Sequence, residues 1–462
     1  MKKRILSSLL ILLLFTPGAF AAELPTGENI RVAIIDTGIS AKAINSAQLE
    51  QGYNYLEENT DTEDRIGHGT AVAGLLAGAP SARVTGITPQ AKLVPLLYQT
   101  KDENDKVQKG NQEMIARAIR DAVDLYGCRV INISVGTAME STFLREAVDY
   151  AEEKNVVIVS SVGNNNVDNP VLLYYPAAYP TVIGVGSVNQ WGRVSAFSQR
   201  NESVMLVATG ENIWTISPEG KQLLVNGTSV AAPFVSGAAA ALLSAHPDLT
   251  AAQVRNLLCG SATDILTSGY DPDSGWGILQ MDTALEWAAQ GRRFRDVATD
   301  SWCFTVINHA VDKGLLLGTD TFVFSPDSPV TRALLWTILW RLDGQTSTEK
   351  EENWYAEAQK WVRENNISDG TNPADEITRE QLCTMLWRYT GSPLLTAGLY
   401  SFADAGHISG YANMAMRWAV ENEILSGTGD GALNPRGQAT RSQAAAILQR
   451  YCEQQPWREF RT

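Results

Sequence analysis

The sequence holds four histidines, and His68 is the one whose neighbours suit catalysis. It lies in Gly67-His68-Gly69-Thr70, where the flanking glycines let the backbone approach a substrate closely. Histidine is the side chain best able to act as a general base near neutral pH. His246 at a helix end, and His309 and His407 in a repeated C-terminal region, are interpreted as structural or surface residues.

A histidine base for acyl transfer needs a nucleophile and an orienting carboxylate. Asp36 directly follows the apolar run Val32–Ile35, and α/β proteins place their sites at the carboxyl ends of parallel strands. Ser229 lies between a glycine turn and an Ala-rich stretch. Taken singly, Asp36 could be a turn or capping residue, and Ser229 a helix N-cap. Together with His68 they could form a catalytic triad.

The elements that would position these residues alternate along the first part of the chain. Short apolar runs, as expected for strands buried on both faces, are separated by stretches with helical periodicity. This alternation predicts an α/β fold, a doubly wound and mostly parallel sheet covered on both sides. The predicted strands cover 32–35, 93–97, 129–133, 156–159 and 182–185, and helices are predicted around 114–123 and 231–245.

The composition changes near Gly291, and most of the twelve tryptophans lie beyond it. This region repeats itself, because Thr331-Arg332, Thr378-Arg379 and Thr440-Arg441 each open a helical pattern. Short helical repeats stack on one another to bury their apolar faces. We therefore expect an all-α repeat module of three units, at 292–344, 350–392 and 399–455.

The first residues predict a secretory signal peptide at 1–21, with a cationic start, an apolar run and a small-x-small cleavage site. The apolar run is too short to span a bilayer, and we expect no membrane span after cleavage. The formal net charge of −14 argues against nucleic acid as a partner, because phosphate binding needs clustered basic residues.

Three motifs in this order resemble the subtilisin-like serine proteases (peptidase S8 family). They are Ile35-Asp36-Thr37-Gly38-Ile39, Gly67-His68-Gly69-Thr70-Ala71-Val72-Ala73-Gly74 and Gly227-Thr228-Ser229-Val230-Ala231-Ala232-Pro233. The resemblance extends over a peptidase domain at 22–290 and implies a subtilisin-like fold. It also implies a serine endopeptidase that hydrolyses protein or peptide substrates through an acyl-enzyme intermediate.

The resemblance assigns roles by matching position. Ser229 would be the nucleophile, His68 the base and Asp36 the residue that orients it. Asn164 would donate to the oxyanion. The segment of Ser134, Val135 and Gly136 would pair with the substrate backbone. Gly136 and Gly163 would line the pocket for the substrate side chain that precedes the cleaved bond, and apolar side chains are expected there.

No cofactor is expected, and no metal site is assigned. A structural calcium ion is frequent in the family, but we interpret the acidic run 59–64 as a solvated loop. Secreted members generally carry a folding pro-domain before the catalytic Asp. The stretch between Ala22 and Asp36 is too short for one, so we expect none.

The C-terminal repeats resemble three S-layer homology (SLH) domains. The matching features are Phe294-Arg295-Asp296-Val297, the Thr-Arg pairs and the tryptophans. The resemblance implies non-covalent binding to a secondary polysaccharide of a Gram-positive-type cell wall. An arginine can fork onto an acidic sugar substituent, and a tryptophan can stack on a sugar ring. The expected wall-binding residues are Arg332, Arg379, Arg441, Trp302 and Trp354.

The sequence thus predicts a secreted serine endopeptidase held at the cell surface. Two alternatives remain open. One is a non-catalytic wall-binding protein with a decayed protease domain, which the intact Asp36, His68, Asn164 and Ser229 disfavour. The other is a dedicated processing or signalling protease with one protein target.

Overall fold

A computed structural model of the protein describes residues 24–79, 82–345, 353–394, 402–429 and 431–454. The chain divides into two units, Met1–Leu285 and Glu286–Thr462, and the division falls inside a single helix, Met281–Gln290. The expected signal peptide, residues 1–21, lies outside the described residues.

The first unit is built on a seven-stranded sheet in the order β2-β3-β1-β6-β7-β8-β9. All neighbouring strands in it are parallel. Two further hairpins pair β4 with β5 and β10 with β11. The strands are β1 (Arg31–Asp36), β2 (Tyr53–Asn54), β3 (Lys92–Leu97), β4 (Gln99–Lys101), β5 (Val107–Lys109), β6 (Val130–Ile133), β7 (Val157–Ser161), β8 (Ile183–Val188), β9 (Leu206–Thr209), β10 (Ile213–Ile216) and β11 (Gln222–Val225).

The predicted α/β class is confirmed. The central strands are almost entirely buried, as apolar runs covered on both faces must be. The first three helices alternate with the strands, and the last three follow them in succession. They are α1 (His68–Ala77), α2 (Gln112–Asp124), α3 (Thr142–Glu153), α4 (Thr228–Ala245), α5 (Ala251–Ser261) and α6 (Met281–Gln290).

Helix α4 is apolar on every side because it lies inside the unit. It packs on β6, β7, β8 and β9 and against α1 and α5. Among the described residues it is the helix long and apolar enough to cross a membrane, yet 78% of it is buried within the protein. Because most of its surface is covered by the rest of the protein, α4 is a core helix rather than a membrane span.

The second unit consists of three helix pairs around one apolar core. In each pair the second helix begins after a threonine whose hydroxyl accepts a backbone N–H of the first turn, as an N-cap does. The helices are α7 (Phe304–Asp312), α8 (Arg332–Leu342), α9 (Ala356–Glu364), α10 (Arg379–Tyr389), α11 (Asn413–Glu421) and α12 (Arg441–Glu453).

The three repeats close into a ring through the segments that precede α8, α10 and α12. Isolated β-bridges join Thr331 to Glu376, Thr378 to Gln438 and Thr440 to Pro329. Each repeat therefore pairs with the next, and the third pairs with the first. A ring of this kind leaves no repeat with an unpartnered end.

Candidate active site

The site is built at the carboxyl edge of the sheet, where β1 ends. Asp36 is fully buried there, and its Oδ1 accepts hydrogen bonds from the backbone N–H of Thr37, at 2.8 Å, and from Nδ1 of His68, at 2.7 Å. His68 is the first residue of α1. A carboxylate on Nδ1 leaves Nε2 as the nitrogen that can accept a proton from a nucleophile.

A second buried carboxylate, Asp64, holds the start of α1 in place. Its Oδ1 accepts hydrogen bonds from the backbone of Gly67, at 2.7 Å, and from the hydroxyl of Thr37, at 2.8 Å. Its Oδ2 accepts the N–H and the hydroxyl of Thr70. The interpretation of the 59–64 run as a solvated loop is therefore wrong for Asp64. The signal for it was its spacing of four residues before His68.

Ser229 is the second residue of α4, and its backbone carbonyl has an unusual partner. Pro233 lies four residues further on and has no N–H, so it cannot make the helical hydrogen bond to that carbonyl. The hydroxyl of Ser134, just beyond β6, donates to it instead, at 3.0 Å. Ser134 is itself held by the side-chain amide of Asn132, at 2.9 Å. The start of α4 is thus tied to the end of β6.

Asn164 lies just beyond β7 and is fixed to the same helix start. Its Oδ1 accepts both the N–H and the hydroxyl of Thr228, each at 2.9 Å. Because the oxygen is occupied in this way, Nδ2 lies on the other side of the amide. A Cβ placed on Gly227 would be 3.4 Å from this Nδ2 and 3.1 Å from Ser229 Oγ, so the two atoms face the same small space.

The neighbouring carboxylate raises the pKa of His68 above the ordinary histidine value of 6.5. The charge of Asp36 is the largest cause, burial opposes it, and the hydrogen bond and Asp64 add to it. A histidine base of raised pKa can activate a serine hydroxyl, and an amide donor that faces that hydroxyl can stabilise an oxyanion. This combination is suited to acyl transfer.

The cysteines offer no competing nucleophile. All five lie among the described residues, all are buried, and none is joined in a disulfide. Burial raises the pKa of Cys128 and Cys383 to about 12 and that of Cys452 to about 11. Such thiols stay protonated, and a thiol is not the reactive form. Within the described parts of the chain, no three His, Cys, Asp or Glu side chains are grouped to hold a metal.

Comparison with protein families gives a match to the subtilase family, peptidase S8, over residues 27–277. The chain belongs to this family. Subtilisin DY of Bacillus licheniformis is 36% identical over 267 residues, which cover 56% of this chain and 92% of that protein. This subtilase is therefore a serine protease, as the three motifs predicted.

Fervidolysin of Fervidobacterium pennivorans, described as a keratinolytic enzyme related to subtilisin, is similar in sequence and in structure. It is 34% identical over 315 residues, covering 60% of this chain and 44% of fervidolysin. Its crystal structure aligns with a TM-score of 0.52 and 32% identity over 57% of this chain. This chain thus matches less than half of fervidolysin's length, so the similarity concerns the protease unit.

The S-layer homology family matches residues 293–333 and 401–445. These matches lie in the first and third repeats, and SLH domains indicate attachment at the cell surface. The middle repeat, which falls outside the matched ranges, has the same helix pair, α9 and α10. The subtilase thus carries a cell-surface module after its protease unit.

The structure separates the expected wall-binding residues into two groups. Trp302 and Trp354 are about two-thirds exposed and precede the first helix of their repeats. The guanidinium groups of the three arginines instead donate hydrogen bonds to backbone carbonyls of the following repeat. Arg332 donates to the carbonyl of Thr371, Arg379 to that of Leu433 and Arg441 to that of Phe324. They therefore also hold the ring of repeats together.

Proposed function

We propose that the subtilase hydrolyses peptide bonds within proteins through an acyl-enzyme on Ser229. In the first step, His68 Nε2 takes the hydroxyl proton while Oγ attacks the scissile carbonyl. Asp36 fixes the imidazole tautomer and stabilises its cation. His68 then donates the proton to the leaving amine, and water releases the acyl group by the same route. The observation that carries this proposal is the 2.7 Å hydrogen bond between His68 and the buried Asp36.

The oxyanion of the tetrahedral intermediate is proposed to be stabilised by Nδ2 of Asn164 and by the backbone N–H of Ser229. The support is that the Asn164 amide is oriented by Thr228 and faces the space beside Ser229 Oγ. The backbone of Ser134, Val135 and Gly136 continues beyond β6, where pairing with β7 ends at Ile133. A substrate is proposed to add there as an extended strand.

A serine-reactive fluorophosphonate tests the assignment. We expect one molecule of probe to attach to Ser229 in the full-length protein, with loss of peptide hydrolysis. Ser229→Ala should abolish both, because triad members act as a unit and losing the nucleophile lowers kcat about a million-fold. Ser244→Ala, at the other end of the same helix, is the matched control and should behave like wild type. Hydrolysis that survives in Ser229→Ala would refute the proposal.

We also propose that the SLH module binds an acidic secondary polysaccharide of a Gram-positive-type wall. The support is a groove of about 430 Å³ within the module, which is lined by Trp302, Arg379, Gln443 and Arg450. It combines an exposed aromatic face with cationic side chains, the chemistry that suits a sugar ring bearing a carboxylate. The two exposed tryptophans test the proposal more cleanly than the arginines, which also support the fold.

The contribution of the two tryptophans can be measured by binding of the protein to purified Gram-positive-type walls. Trp302→Ala should lower the fraction of protein that pellets with walls, and Trp302→Ala with Trp354→Ala should lower it further. Trp191→Ala, which removes a tryptophan that is 73% exposed in the protease unit, is the matched control. If Trp302→Ala and the double variant pellet as well as wild type and the control do, Trp302 and Trp354 do not contact the wall.

A further inference from the structure

The ring of Tyr174 occupies the space between the two segments that flank Ser229. One segment is the edge 134–136, tied to Ser229 through the hydroxyl of Ser134. The other leads into Asn164, and its Gly163 N–H donates to the hydroxyl of Thr228 at 3.2 Å. In the proposed binding mode, a peptide that lies along the edge 134–136 with its scissile carbonyl at Ser229 directs the side chain before the cut between these two segments.

Contacts on both sides show that the ring lies in this space. Gly163 has a φ of +105°, and a Cβ there would overlap the Tyr174 ring, at 2.5 Å from Cε2. On the opposite side, a Cβ on Gly136 would lie 3.5 Å from Cδ1 of the same ring. The absence of a side chain at Gly163 therefore makes room for Tyr174, while a Cβ at Gly136 would be in ordinary van der Waals contact with the ring. The ring thus lies in the space between Gly163 and Gly136.

The scaffold around Tyr174 fixes the segment that carries it. The side chain of Gln199 is fully buried, and its Nε2 donates to the carbonyls of Asn169 and Leu172, at 2.9 and 2.8 Å. Tyr175 makes two backbone hydrogen bonds with Thr137, at 2.8 and 3.1 Å. Both sides of Tyr174 are thus attached to the rest of the unit.

Tyr174 also borders a cavity beside the edge 134–136. Tyr174 and Gly136 line a cavity of about 710 Å³, together with Tyr98 and Met139. Gly163 does not line this cavity, and it contacts the ring of Tyr174.

We infer that Tyr174 is a specificity-determining residue that restricts cleavage to bonds after small residues, namely glycine, alanine or serine. The inference rests on the proposed protease function and adds the substrate class of the same site. Large side chains before the cut would have to displace a ring packed on two backbone segments. Even small differences of fit in such a pocket change kcat/KM about 10- to 100-fold.

The test uses tetrapeptide p-nitroanilides that differ only in the last residue, alanine, leucine or phenylalanine, with the full-length protein. Wild type should cleave the alanine substrate at least about 10-fold more efficiently than the phenylalanine substrate. Tyr174→Ala should raise the phenylalanine-to-alanine ratio of kcat/KM by about 10-fold or more. Tyr174→Phe keeps the ring and should keep the wild-type ratio.

Two results would overturn the inference while leaving the protease function intact. One is a wild-type preference for leucine or phenylalanine, which needs no variant to be measured. The other is an unchanged ratio in a folded Tyr174→Ala protein. Failure of the proposed function is distinguishable, because wild type would then hydrolyse none of the three substrates faster than Ser229→Ala does.

Discussion

At the scale of single residues, the site depends on two buried carboxylates with different tasks. Asp36 bonds directly to the histidine, and Asp64 bonds to the backbone around it. The Oδ2 of Asp36 is buried and makes no hydrogen bond within the described part of the chain. The charge on Asp36 is thus directed mainly at His68 and Thr37. These intact contacts argue against a decayed protease domain.

Replacing Asp36 by Asn should change the pH dependence as well as the rate. The raised pKa of His68 places the acid limb of kcat/KM above 6.5 in wild type, because only neutral His68 can act as base. Asp36→Asn removes the main cause of that rise, so the limb should move to lower pH. The rate should fall about ten-thousand-fold because the asparagine amide favours the wrong tautomer of the imidazole.

Steady-state kinetics between pH 5 and 9 would measure both effects. Asp61→Asn is the matched control, since Asp61 is an exposed carboxylate in the loop before His68 and pairs with Arg65. Its profile should match wild type. An acid limb that stays in place in Asp36→Asn would show that Asp36 does not set the pKa of His68.

At the scale of elements, the sequence predicted the strands that a local run of apolar residues identifies. The predicted strands at 32–35, 93–97 and 182–185 correspond to β1, β3 and β8, because continuous apolar runs identify doubly covered strands. The short strands β2, β4, β5 and β9 and the hairpin of β10 and β11 were not predicted. The hairpin is largely exposed, so no buried run marks it.

The candidate site shows the same division between local and distant information. Asp36, His68, Asn164 and Ser229 could be assigned because each lies in a contiguous motif. The packing of Tyr174 on Gly136 and Gly163 could not, since it depends on how separate loops meet in space. The contacts of the three arginines with the next repeat are equally non-local. Their role in wall binding stays a prediction.

The start of α4 offers a prediction at the scale of elements. Ser134→Ala should lower the free energy of unfolding by about 1–2 kcal/mol, because the Ser229 carbonyl loses its partner. Pro233→Ala restores an N–H at the position that can bond to this carbonyl within the helix. The two changes should therefore be coupled, with Pro233→Ala less costly, or stabilising, when Ser134 is already alanine.

Urea unfolding of the four proteins in a double-mutant cycle would measure the coupling. All four should carry Ser229→Ala, which prevents self-digestion and keeps the backbone carbonyl. Pro247→Ala, just past the end of α4, replaces Pro233→Ala in the control cycle and should add to Ser134→Ala without coupling. Strict additivity in the first cycle would mean that Ser134 does not substitute for the missing helical bond.

At the scale of the whole molecule, each unit has an apolar core of its own. Among the described residues, the core of the repeats is formed by residues from Phe294 onward, and two cores around the sheet are formed by residues before the division. The two families found by comparison fall on either side of the same division. Catalysis and surface attachment should therefore be separable by cutting the chain between them.

A protein of residues 22–290 should hydrolyse peptides with the kcat/KM of the full chain, because every residue of the proposed site lies within it. It should no longer pellet with purified Gram-positive-type walls, whereas residues 292–462 should pellet alone. Walls from which the secondary polysaccharide has been extracted are the control and should retain neither full-length protein nor the repeats. If residues 22–290 pellet as well as the full chain does, the protease unit binds the wall itself and the repeats are not the anchor.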